Sequence, residues 1–190
     1  MGFYDGIEKE QAAGDLGAFV RAGHYLAMIE RIRSGQTRES VDFVAVDMRI
    51  LHVYSDSDTP KMIDPKTGAA SDWIDDPKGL HKEGEQVSVQ FLAKWPSAKR
   101  NYKAFVANSV GVGADEVTDA FCAQVESDEL LSGEVVELNN RMIETREKKP
   151  FTRVWAVRPV PASEYSEKVS EDIAEMYFPD GFDELIAAEE

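Results

Sequence analysis

Residues 97–127 read SAKRNYKAFVANSVGVGADEVTDAFCAQVES, and the placing of this stretch decides the fold. Tyr102, Phe105, Val106 and Val110 recur at three- and four-residue spacing, as do Val117, Ala120, Phe121 and Val125. That period predicts two amphipathic helical pieces. Gly111-Val112-Gly113 separates them, and Ala114-Asp115-Glu116 supplies carboxylates for the first turn of the second piece, where the helix dipole favours them.

Outward from the helices the chain turns to strand patterns. Tyr25–Arg33 is apolar on both faces, with a turn expected at Ser34-Gly35-Gln36-Thr37. Val41–Tyr54 alternates Val44, Val46, Met48 and Ile50 against Phe43, Ala45, Asp47 and Arg49, and Gln86–Lys94 alternates around Val87, Val89 and Phe91. Beyond the helices, Glu134–Thr145 carries Val136, Leu138 and Met142 on one face. After the basic loop Arg146–Pro150 comes Phe151–Val160, with Phe151, Arg153, Trp155 and Val157 on one side. Three strands, a helical insertion and two closing strands is the chain order of the OB-fold, a five-stranded Greek-key barrel that often binds oligonucleotides. The expected class is therefore mainly β (α+β): an OB-like barrel with its helical insertion between strands 3 and 4, and an acidic C-terminal tail. The domain bounds follow as residues 1–20 for a loosely ordered lead-in, 21–162 for the barrel and 163–190 for a helix and acidic tail.

Charge narrows the function. The 190 residues carry a formal net charge of −15, which by itself speaks against a nucleic-acid partner. Its distribution is uneven. Residues 163–190 hold ten acidic groups against one lysine, whereas Glu85–Val110 sets Lys94, Lys99, Arg100 and Lys103 against Glu85 alone. A mildly basic barrel and an acidic tail are compatible with a nucleic-acid ligand. A hydrophobic fraction of 43% suffices for a core, and no apolar run reaches membrane-spanning length. No signal peptide opens the chain, and the single cysteine, Cys122, excludes an internal disulfide, so a cytoplasmic protein with a buried, inert thiol is expected.

Catalytic and metal chemistry find no anchor. His24, His52 and His81 lie far apart without ligand spacing, Asp72, Asp75 and Asp76 lack a calcium-loop pattern, and no nucleophile motif is present. Neither enzyme activity, a metal nor a cofactor is expected. Aromatic residues interleaved with cations are a different matter, because bases stack on flat side chains while cations track phosphates. The candidates are Phe43 with Arg49, then Lys94 and Trp95 with Lys99 and Arg100, then Arg153 and Trp155 beside Lys148 and Lys149. In the tail, Phe182, Leu185 and Ile186 sit among carboxylates such as Asp183 and Glu184, a pattern suited to anchoring in a partner's groove or to competing for the protein's own basic surface.

Several segments together resemble the OB-fold single-stranded DNA-binding proteins of bacteriophages. They are Ala22-Gly23-His24-Tyr25, Val41-Asp42-Phe43-Val44, Lys103-Ala104-Phe105, Gly133-Glu134-Val135-Val136 and Phe151-Thr152-Arg153-Val154 leading to Pro159-Val160-Pro161. The resemblance spans about Gly23 to Ala162 and extends to the acidic C-terminus. It implies sequence-independent coating of single-stranded DNA in replication or recombination in the host cytoplasm, with the tail regulating binding or recruiting replication or recombination proteins. It is compatible with a homo-oligomer and implies no membrane partner. The tail departs from the familiar one by ending Ala187-Ala188-Glu189-Glu190 and by lacking a glycine-rich linker. Two other readings remain open on the residues alone. One is a non-catalytic β-barrel mediating protein–protein contacts in a phage replication or virion assembly, and the other is a nuclease accessory using the Asp72–Asp76 loop with a divalent ion.

Overall fold

The structure, a computed structural model, describes residues 18–54, 79–144 and 150–189. It is mixed α+β, and its strands are β1 (Ala18–Phe19), β2 (Gly23–Gln36), β3 (Asp42–Val53), β4 (Gln86–Leu92), β5 (Val135–Glu144), β6 (Pro150–Arg153) and β7 (Ala156–Pro159). Helices α1 (Ala98–Val110) and α2 (Asp119–Ser127) fall between β4 and β5, while α3 (Ala162–Tyr165), α4 (Glu171–Tyr177) and α5 (Asp183–Ala188) follow β7. The sheet order is β1-β4-β3-β2-β5-β6, with β7 pairing β5 beyond the end of β6, and all neighbours are antiparallel except β1 with β4. Among the described residues β4 does not pair with β6 or β7, so the sheet stays open where a closed barrel was expected.

The sheet buries both faces. On the inner face Tyr25, Ala27, Ile29, Val46, Met48, Ile50, Val136 and Leu138 pack against Tyr102, Phe105 and Val106 of α1 and Val125 of α2. Each fully buried side chain of this size contributes about 1.5–3 kcal/mol. The alternation of β3 places Leu51 on the other face, where it joins Leu26 and Val135 under Tyr165 of α3 and Ile173 of α4.

Four local expectations need correction. The strand β2 runs through Ser34-Gly35 to Gln36, because the Phe43 ring lies over Gly35 and holds that end in the sheet; the turn comes at Thr37–Val41, with Ser40 at φ 57°. Ala114-Asp115-Glu116 is a turn and not the first turn of a helix: Glu116 accepts from the Gly113 N–H, and α2 starts at Asp119 because Thr118 caps it, accepting from the Phe121 N–H at 3.1 Å. The closing strand breaks at Val154-Trp155 into β6 and β7, where the Asn140 side chain accepts from the Trp155 N–H at 3.2 Å and takes the place of a ladder bond. The acidic C-terminus folds into three short helices, since its Tyr165, Phe178, Phe182 and Ile186 have an apolar sheet face to cover.

Candidate nucleic-acid interface

The predicted cations and aromatics divide between two sides of the sheet. On the α1 side, β4 ends at Leu92 and the chain passes through Lys94-Trp95 into α1. Trp95 is 59% exposed with the Lys94 ammonium 5.8 Å from its ring centre. The first turn of α1 holds no acidic residue and carries the exposed Lys99 and Arg100, and Ser97 makes no side-chain cap. A helix start without acid and with two cations is locally unfavourable, because the dipole is positive there. An anion relieves it.

One wall of a shallow groove is formed by Asn101, Ala104, Phe105 and Asn108 of α1; Arg153, Val154, Trp155 and Ala156 form the other. Asn108 donates to the Ala156 carbonyl at 2.8 Å, and the Asn139 N–H donates to the Trp155 carbonyl at 2.9 Å, so the backbone under Trp155 is pinned from both sides. The ring itself is 42% exposed, with the Arg153 guanidinium 5.2 Å from its centre. Among the described residues, none of the side chains of Lys94, Lys99, Arg100 and Arg153 forms an ion pair or a hydrogen bond. Their charge is unneutralised and can meet phosphates.

Phe43 and Arg49 lie on the opposite face. Phe43 is half-buried over Gly35, with the Arg33 guanidinium 5.9 Å from its ring centre. Arg49 is committed internally: it pairs with Glu30 at 2.6 Å, donates to the Gly84 carbonyl at 3.0 Å and lies 5.2 Å from the Tyr177 ring centre of α4. It therefore joins the sheet to the C-terminal helices. Sequence reasoning did not single out Arg31 and Arg33 on this face, because the carboxylate they share lies on the neighbouring strand β3. They share the buried Asp47, at 3.0 and 2.9 Å, and Ser88 donates to the same carboxylate. Burial pushes the Asp47 carboxyl up, but hydrogen bonds from Arg33, Ser88 and Arg31 together hold it below its ordinary value.

The tail anchors are placed differently from one another. Phe182 packs edge-on to Tyr165, with ring centres 5.7 Å apart, and Ile186 packs against the same cluster, so both are half-buried. Asp183, Glu184 and Leu185 are exposed on α5. Lys148 and Lys149 lie outside the described residues, as do Asp72, Asp75 and Asp76.

Each histidine has its own carboxylate: Glu137 at 2.9 Å from His24, Glu83 at 3.0 Å from His52 and Glu85 at 2.9 Å from His81. Among the described residues no three His, Cys, Asp or Glu side chains gather as a metal set. Cys122 is half-buried, and burial, with Asp119 nearby, pushes its thiol up and away from the reactive thiolate. No described helix is long and apolar enough to cross a membrane. No protein-family model matches the chain, and no curated protein matches it.

Proposed function

We propose that this protein binds single-stranded DNA without sequence preference and coats it during replication or recombination, as the phage proteins it resembles do. The observation that carries the reading is a pair of exposed tryptophans, each with a cation over its ring: Trp95 just before the unneutralised basic start of α1, and Trp155 in the groove along the side of α1. Bases stack on the tryptophans at roughly 1–3 kcal/mol each. Lys94, Lys99, Arg100 and Arg153 contact phosphates, and the reading adds Lys148 and Lys149 to them.

An OB-like barrel is supported by strand order. The meander β2-β3-β4, the helical insertion and the return of β5 beside β2 follow that fold, read as opened between β4 and β6. Asp183, Glu184 and Leu185 on α5 are the part of the acidic C-terminus available to replication or recombination proteins. Such a protein works in the cytoplasm, with no catalysis and no cofactor.

The test is fluorescence anisotropy with a labelled thirty-mer of dT beside the matching duplex, at low and moderate salt. Tight binding to the single strand alone, weakening steeply with salt, is expected. No binding to either at low salt would overturn the reading in favour of a protein-interaction module, which the net charge of −15 would suit.

A further inference from the structure

Resting on that reading, we infer that the single strand does not lie on the sheet face that carries Phe43 and Arg49 but crosses the α1 side, over the seam between β4 and β6–β7, from Trp95 past Arg100 to the groove at Trp155. Charge separates the two routes. On the sheet face the cations are already engaged: Arg31 and Arg33 on Asp47, Arg49 on Glu30. A phosphate arriving there competes with a carboxylate in place. On the α1 side Lys94, Lys99, Arg100 and Arg153 have no such competitor among the described residues.

Space separates them too. The helix α4 covers the sheet face as far as Arg49, where Tyr177 sits over the guanidinium. The remaining aromatic on that face, Phe43, is half-buried and used in covering Gly35. Trp95 and Trp155, at 59% and 42%, offer ring faces that need little rearrangement to stack.

The parts on the α1 side are also in reach of one another. Arg100 precedes Ala104 by four residues, which puts it on the same helix face as the groove wall. With a rise of about 1.5 Å per residue, the wall at Asn101–Ala104 lies within about 10 Å of the start of α1. Even at the stacked rise of about 3.4 Å per nucleotide, a few nucleotides cover that distance. The route ends at the exposed face of the Trp155 ring, a platform for a stacked base, with Asn101 lining the small hollow beside it.

The experiment is photocrosslinking of the full chain to a thirty-mer of dT containing 5-iododeoxyuridine, with adducts mapped by mass spectrometry, alongside anisotropy on two variants. Adducts on Trp95 and Trp155 are expected. Arg100→Glu with Arg153→Glu should weaken binding at least tenfold and flatten the salt slope by roughly 0.7 for each phosphate no longer neutralised, whereas Arg31→Gln should leave affinity within twofold. Both charge-reversed residues are exposed and unpaired among the described residues, so folding is not at stake, and circular dichroism checks this. Adducts confined to Phe43 and its neighbours, or a tenfold loss with Arg31→Gln and none with the double reversal, would overturn the route while single-strand binding stands. Absence of binding in the wild-type chain would overturn the route together with the reading beneath it.

Discussion

Arg158 on β7 grips Glu164 on α3 through two hydrogen bonds, 2.7 and 2.6 Å long, and its Nε donates a third to Glu137 on β5 at 3.0 Å. Lys168 donates to Glu164 as well, at 2.8 Å, and to the Tyr54 hydroxyl at 3.3 Å. His24 stacks on Tyr54 with ring centres 3.9 Å apart and bonds Glu137, which closes a ring of six side chains. That ring fastens the C-terminal helices to three strands. It is why an acidic segment that would otherwise be solvated stays on the sheet.

Arg158→Met should therefore loosen α3–α5 and cost about 1–2 kcal/mol, toward the low end for hydrogen bonds to charged groups because the guanidinium is partly exposed. Bonds from Arg158 foremost and Lys168 next draw the Glu164 carboxyl from its ordinary 4.5 down to about 2, and the bond to His24 lowers Glu137. A carboxyl with a depressed folded value adds stability that is present above its unfolded value and is lost as pH falls through the folded one. Proteolytic cleavage in α3–α5 should thus rise between about pH 4.5 and 2, and that dependence should flatten in Arg158→Met. Equal pH dependence in both chains would refute the assignment.

Asp47 serves Arg31, Arg33 and Ser88 at once from a buried position. Asp47→Ala strands an arginine that is largely buried, and urea denaturation should show a loss of about 3 kcal/mol. A loss below about 1 kcal/mol would mean that Arg33 swings to solvent without penalty.

A chain truncated after Ala162 tests the second core. Removing the acidic helices exposes Leu26, Leu51 and Val135, which an ordinary solubilising tail would not cover. Such a chain should bind a hydrophobic dye, scatter light and melt earlier despite losing so much negative charge. An unchanged melting temperature with no dye binding would show that the helices add nothing to the sheet.

Thr118 caps α2, so Thr118→Ala should lower stability by about 1 kcal/mol, with the fastest amide exchange at the start of α2. An even rise in exchange across the sheet instead would place the loss elsewhere.

Much of the fold was legible because it rests on local periodicity. The alternation in β3 and β4 and the three- and four-residue spacing of Tyr102, Phe105 and Val106 each follow from which side chains can face one core. That Lys94, Trp95, Lys99 and Arg100 form one exposed basic and aromatic cluster was legible for a similar reason: they lie within seven residues and are free of intervening acids, so no partner choice was needed. Arg49 was not, since its neighbours Glu30 and Tyr177 are distant in the chain. Nor were Arg31 and Arg33, whose shared carboxylate lies across the β2–β3 pair.

The sequence by itself determined the long strands, the helix α1, most of the inner core and the split between a basic middle and an acidic end, because propensity, periodicity and charge are properties of neighbouring residues. Only the tertiary structure decided three further things. The sheet stays open between β4 and β6, since closure depends on whether edges brought together by α1 can pair. The acidic C-terminus folds down, since Tyr165, Phe178 and Phe182 gain a surface to bury against only once Leu26, Leu51 and Val135 share a face. Arg49 is engaged and Arg153 is exposed without a carboxylate partner among the described residues, since an ion pair is settled by which opposite charge comes within reach, and residues far apart in sequence supply it.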